Sequence, residues 1–362
     1  MDCTETGSLA EENTLVNWPE FEAQRAQLGA HFARILGYFQ EDGIKSVELI
    51  EAKLDLSPLE PDEISGKTIA TLISPGTELN DGFLGKSFPR TMGYSAIFEV
   101  EDTGQQVTDI KRGDLVFSLG RHTSYQRAKR QMVVPVPKCL SPQTATFARL
   151  MAVSMTTLTT TKARPGAEVL ITGLGPIGHF AAKIFSLCQY RVSAVDPVES
   201  RRRLLNDGPY ENIWSSVPVE EESTQQRFSL AIDCSGHEKA IEDACHVVRK
   251  GSEVVLIGAH WRGHTEISAH QILHAVFFNN VTLRGGTEWG IPLHPIPTAQ
   301  ASNFSSFATA LQWLAEDKVD VTVDYLPEEC DRKTKAGDHL GMHYTVRQIP
   351  PTSTTPPTHH SH

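Results

Sequence analysis

The residues with the plainest chemical use are three glycines, spaced Gly173-Leu174-Gly175-Pro176-Ile177-Gly178. They follow Glu168-Val169-Leu170-Ile171-Thr172, a run of the kind that forms a buried strand, and they precede a helix pattern. In that context Gly173 permits a tight turn, Gly175 lets backbone approach a pyrophosphate, and Gly178 allows helix and strand to pack closely. Free N–H groups at the helix start, at Ile177 and Gly178 just after Pro176, then meet the anionic pyrophosphate of a dinucleotide. Asp196 ends the next strand pattern, Arg191 to Val195. A carboxylate there can accept hydrogen bonds from both adenosine ribose hydroxyls and repels a 2′-phosphate, which favours NAD(H) over NADP(H). Arg201, Arg202 and Arg203 bear on the same choice, because a nearby arginine can accommodate that phosphate. The alternative for Asp196 is a helix N-cap, since Pro197 and a helical run follow. Two further strand patterns end in small residues, at Cys234-Ser235-Gly236 and Ile257-Gly258-Ala259. Ligands of open parallel sheets sit beyond such carboxyl ends, and small residues let a cofactor lie against the backbone. Cys234 reads as packing rather than as a reactive thiol.

Metal-binding patterns are sparse. The six cysteines, Cys3, Cys139, Cys188, Cys234, Cys245 and Cys330, form no C-x-x-C pair. They suit a reducing compartment and offer no thiolate cluster for structural zinc. His270 and His274 share one helical face, but a single pair without a third ligand favours packing. His260 and His264 have the same spacing, with Gly263 against a helix there.

Composition narrows the class. Of 362 residues, 40% are hydrophobic and 21% charged, which excludes a disordered or fibrous chain. Lys plus Arg number 33 against 44 Asp plus Glu, a net charge of −11, and this argues against a nucleic-acid partner. No apolar run approaches the roughly 20 residues that cross a bilayer. The acidic start lacks the layout of a signal peptide. A soluble, cytoplasmic protein with no membrane partner is the expectation.

The elements that must position these residues change character along the chain. Residues 1–43 read as a helical extension, with Leu28, Phe32, Ile35, Leu36 and Phe39 on one face of a helix from Phe21 to Phe39. Residues 44–155 carry short strand-like runs separated by Gly, Pro and Asp, the pattern of an antiparallel barrel or sandwich. Residues 156–295 alternate strand and helix patterns, as in a parallel, doubly wound sheet with crossover helices. Residues 296–349 contain a helix pattern that returns to the first domain. Residues 350–362 are Pro/Thr-rich, and a disordered tail is expected, His359, His360 and His362 included.

Residues 46–325 as a whole resemble the medium-chain dehydrogenase/reductase superfamily, the relatives of zinc alcohol dehydrogenase. The likeness rests on Thr91 to Val100, Gly104 to Thr108, Lys111 to Val116, Gly120 to Tyr125 and Val169 to Gly178. It implies an α/β plus β fold: a GroES-like β-barrel catalytic domain followed by a Rossmann cofactor domain. It also implies a small-molecule substrate and a homodimer. The departures concern metal. Pro75 of Ser74-Pro75-Gly76-Thr77-Glu78 stands where zinc members carry a cysteine, and Tyr94 stands where they carry a histidine. Phe147-Ala148-Arg149-Leu150 offers no ligand near the third position, and the four-cysteine lobe is missing. The chain thus resembles a zinc-lacking, threonine-dehydrogenase-like branch, and no zinc is expected.

The resemblance assigns roles to match. Without zinc, hydrogen-bond donors must stabilise charge on the substrate oxygen. Tyr94 is the candidate donor, and Thr77 matches the hydroxyl that passes a proton between substrate and ribose. Glu78 and His122 complete a relay to solvent. Glu288 and Trp289 shape the substrate pocket near the nicotinamide. Each has a structural alternative: a packed tyrosine, a satisfied turn, a hydrogen-bonded histidine, a core tryptophan. The expected activity is interconversion of a secondary alcohol and a ketone on a sugar- or cyclitol-like substrate. Reduction of an activated C=C bond is the alternative, and a non-catalytic dinucleotide-binding protein is the third reading.

Overall fold

A computed structural model describes residues 32–41, 44–53, 55, 57–206 and 208–321. The chain opens with β1 (Phe32–Glu41) and β2 (Ile44–Lys53), paired antiparallel from Phe32↔Lys53 to Glu41↔Ile44. Here the expected helix is corrected over its described part, because Phe32 to Phe39 lie in a strand. Apolar residues at 32, 35, 36 and 39 satisfy a helical period, but ten backbone pairs with β2 override it. The paired ends are joined by the sequence Asp42-Gly43, a dipeptide favoured in two-residue hairpins. The remainder of that expected helix and the C-terminal tail lie outside the described residues.

A five-stranded antiparallel sheet follows, in the order β7-β3-β5-β6-β8. Its members are β3 (Glu63–Thr71), β5 (Ala96–Thr103), β6 (Leu115–Ser118), β7 (Tyr125–Lys129) and β8 (Val133–Pro135). The two-residue β4 (Arg90–Thr91) pairs instead with β1. Ile64, Phe98, Val100, Val116 and Val133 fill the inside of this curled sheet.

Helix α1 (Ala148–Thr160) leads to the second lobe. There a six-stranded parallel sheet has the order β11-β10-β9-β12-β13-β14. Its strands are β9 (Glu168–Thr172), β10 (Arg191–Val195), β11 (Asn212–Trp214), β12 (Phe228–Asp233), β13 (Val248–Leu256) and β14 (Thr282–Gly285). All five residues of β9 are buried, as expected of a central parallel strand covered on both faces. The crossovers include α2 (Pro176–Leu187), α3 (Glu199–Arg203), α4 (Glu238–Val247) and α5 (Ala269–Phe278). Helix α6 (Asn303–Ala315) then returns, and its Phe307 ring lies 5.0 Å from Phe117 of β6.

One apolar core joins the lobes. It runs from Ile97 and Phe117 through Met151 of α1 to Ile171 and Phe180. Each fully buried side chain of this size contributes roughly 1.5–3 kcal/mol. Residues of both sheets and of α1 thus share one buried apolar cluster. Among the described residues, no helix is long and apolar enough to cross a membrane.

Candidate active site

The parallel sheet supplies a cradle made largely of backbone. Gly173 turns with φ of 84°, and a Cβ on Gly178 would lie 1.7 Å from the Gly173 carbonyl oxygen. Gly175 is different, because nothing lies within 4 Å of where its Cβ would point. It caps α2, with Pro176 in the first turn, and the N–H groups of Ile177 and Gly178 have no acceptor within the helix. An open concavity thus faces free donors.

Two buried carboxylates hold this cradle in shape. Asp196 is 1% exposed. Its Oδ2 accepts from the Leu174 N–H at 2.7 Å, and its Oδ1 accepts from the Val198 N–H at 2.8 Å. Arg201 Nη1 stands 3.4 Å from Oδ2. The cap of α3 is Val198, so Asp196 is not its N-cap; it ties the glycine turn to the loop after β10. Asp233 does the same one strand over. Its Oδ1 accepts from Thr172 Oγ1 at 2.8 Å and Ser235 Oγ at 2.5 Å, and its Oδ2 accepts from the Gly236 N–H at 3.0 Å. Its carbonyl accepts the N–H groups of both Ile257 and Gly258 at 2.8 Å. Cys234 to Gly236 and Ile257 to Ala259 therefore form one wall with the glycine turn. Burial, then the Asp233 charge, push the Cys234 thiol well above its ordinary range, so it stays protonated. The open space at Gly175, the free donors of α2 and the carboxylate at the end of β10 fit a dinucleotide.

The barrel side of the cleft is made of side chains. Ser74 caps the short turn Pro75–Thr77, and its hydroxyl lies 3.4 Å from the Thr77 hydroxyl. Tyr94 stands beside them. Burial raises its pKa, while the Ser74 and Thr77 hydroxyls and the Arg149 charge act in the opposite direction. Gly93, with φ of 105°, lets this segment touch the next loop, since a Cβ there would lie 2.4 Å from the His122 nitrogen. Arg149 comes from α1 and is 4% exposed. Its Cζ lies 4.6 Å from the Tyr94 ring centroid and 5.6 Å from that of Trp289. Its Nη2 donates to Glu288 Oε1 from the short turn after β14. Trp289 is 58% exposed, which rules out the core alternative for it.

The four residues expected to form one relay fall into two groups. Thr77 and Tyr94 belong to the cluster just described. Glu78 and His122 belong to another, in which Tyr38 O–H donates to Glu78 Oε2 at 2.7 Å. His122 Nε2 lies 2.8 Å from Glu78 Oε1, and Nδ1 lies 2.8 Å from Thr71 Oγ1. Sequence reasoning missed Tyr38 and Arg149 as participants. For Arg149 a signal was present: a lone cation in the run Ala148 to Val153, where all else is apolar.

Pro75, Tyr94 and the stretch Phe147 to Leu150 stand where the resemblance expects ligands, and the Arg149 guanidinium lies over the face of the phenol. Among the described residues, no three His, Cys, Asp or Glu side chains gather as metal ligands.

A curled antiparallel sheet joined to a doubly wound parallel sheet is the fold of the medium-chain dehydrogenases among solved structures. Residues 176–292 match the family model described as zinc-binding dehydrogenase. L-galactonate-5-dehydrogenase of Escherichia coli (strain K12) is 25% identical over 218 residues, 50% of this chain and 64% of that protein. The chain thus spans just under two thirds of that relative. Two solved structures share the fold. Galactitol-1-phosphate dehydrogenase from Escherichia coli has a TM-score of 0.64 at 17% identity, over 79% of this chain and 90% of that one. A putative NADPH:quinone reductase from Bacillus thuringiensis has a TM-score of 0.65 at 16% identity, over 81% and 90%. By these matches the chain is similar to zinc-binding, alcohol-dehydrogenase-like dehydrogenases.

Proposed function

We propose that the protein is an NAD(H)-dependent, zinc-independent oxidoreductase of the zinc-lacking branch, interconverting a secondary alcohol and a ketone on a small polyol or sugar acid. The observation that carries this is the hydroxyl cluster of Ser74, Thr77 and Tyr94 facing Glu288 of the dinucleotide lobe. The named activity of the relative L-galactonate-5-dehydrogenase supports the substrate class.

A bound nicotinamide would exchange hydride with the substrate carbon. The chain's own groups do the rest. Gly173 to Gly178 hold the pyrophosphate, and the small residues at 234–236 and 257–259 admit the cofactor against the backbone. Asp196 sits at the ribose end and disfavours a 2′-phosphate by like charge. Tyr94, kept protonated by burial, gives its proton to the substrate oxygen in the ketone-to-alcohol direction. It regains one from solvent through the Thr77 and Ser74 hydroxyls, each taking up a proton as it passes its own on. The opposite direction runs the same transfers backwards. Glu78 and His122, bonded to each other and to Tyr38 and Thr71, fix the turn that carries Thr77.

Helix α5 exposes Leu273, Phe277 and Phe278 near β14, the last strand of its sheet. A second copy of this chain covering that face gives a homodimer.

The test is a screen of polyols and aldonic acids with NAD and NADP after exhaustive chelation, followed by the Tyr94→Phe variant. Turnover that survives chelation and falls about 100-fold in the variant is expected. Activity that vanishes on chelation and returns with zinc overturns the reading.

A further inference from the structure

We propose that Arg149 is a positioning residue for this reaction: its guanidinium, held by Glu288 and laid against the Tyr94 ring, supplies the fixed positive field in which the phenol donates to a substrate oxygen gaining negative charge. The inference rests on the reading of Tyr94 given above and deepens it.

Its burial makes Arg149 unusual. The side chain is 5% exposed, and two of its donor atoms, Nε and Nη1, are buried without an acceptor. Leaving donors of a buried cation unpaired is costly, so such a group persists only where something else favours the charge. Three aromatic faces do so here. The Tyr94, Trp289 and Phe307 centroids lie 4.6, 5.6 and 6.0 Å from Cζ. Glu288 adds a carboxylate from the other lobe, itself mostly buried. Arg149 thus reaches from α1 to the barrel, the dinucleotide lobe and α6 at once. A metal ion would place a cation beside the substrate oxygen; this chain places one beside the phenol that serves that oxygen.

The charged groups facing Tyr94 are Arg149 from α1 and Glu288 from the turn after β14; Ser74 and Thr77 face it with hydroxyls. Their effects oppose one another. Burial and Glu288 favour the neutral phenol, and Arg149 favours the ionised one. The balance keeps the hydroxyl protonated at neutral pH, and removing either charge shifts it. The Arg149 side chain is almost fully buried, so its field is weakly screened.

The test is an absorbance titration of tyrosinate in the full chain, with Tyr94→Phe subtracted to isolate Tyr94. Arg149→Met should move that ionisation up by about one pH unit. Glu288→Gln keeps the contact but not the charge, and should move it down. Arg149→Lys should return it toward the parent value. Shifts of opposite sign support the inference, because a general loosening of packing moves both variants the same way. Coincident titrations, or shifts of one sign, overturn it. If Arg149→Met does not fold, the direction of Glu288→Gln decides. Opposite shifts together with unaltered turnover in Tyr94→Phe would leave the field intact and remove the reaction it serves.

Discussion

The two sides of the cleft hold their polar groups in contrasting ways. On the dinucleotide side the ligand-facing atoms are backbone N–H groups and missing side chains, while Asp196 and Asp233 are bonded to the chain itself. On the barrel side the groups that can meet a ligand are side chains, gathered from residues 74 to 94, 149 and 288. A wall of backbone is stiff and indifferent to which substrate is used. A wall of side chains can be altered one residue at a time. On the reading proposed above, backbone would set the cofactor side and side chains the chemistry, so the second could change while the first stands still.

That contrast can be broken from either side. The largest effect is expected from Gly178→Val. Its Cβ would collide with the Gly173 carbonyl, displacing the turn at a cost of about 3 kcal/mol or more. Dinucleotide binding, measured by calorimetry, should vanish. Retained binding would mean that the turn is not the cradle.

Glu78→Gln should have an intermediate effect. An amide offers one accepting oxygen where Tyr38 and His122 each have their own, so thermal unfolding should show a loss of about 2 kcal/mol. Turnover at permissive temperature should change little. A collapse of turnover with stability intact would instead put Glu78 in the proton path and join the two barrel clusters into one.

Phe277→Lys should have the smallest effect on the fold, because the ring is 77% exposed. Stability should move by less than about 0.5 kcal/mol. Sedimentation should nevertheless report one copy in place of two. An unchanged mass would remove α5 as the dimer face and leave the dinucleotide side without an outer partner.

The same contrast explains what could be read in the chain. The glycine turn and its strand are contiguous, and each glycine acts on atoms within a few residues, so their spacing was legible. The alternation of strand and helix patterns likewise announced the parallel sheet. The barrel cluster was only half legible. Thr77 and Tyr94 stood out through the resemblance, but the bond from Arg149 to Glu288 spans 139 positions and that from Tyr38 to Glu78 spans 40. Nothing local marks such partners. Glu78 and His122 bond to Tyr38 and Thr71, partners that no local pattern marks either. The first strand was misread because Phe32, Ile35, Leu36 and Phe39 satisfy a helical period. Gly37 within the run and Asp42-Gly43 after it were the overlooked clues.

The contact between Phe117 and Phe307 has a consequence for synthesis. The barrel emerges early from the ribosome, yet its apolar rim stays bare until nearly two hundred further residues have been translated. In the meantime it depends on chaperones or on the nascent second lobe for cover. Neither lobe can be excised as an independent unit by a single cut, because the chain leaves the first, builds the second and comes back.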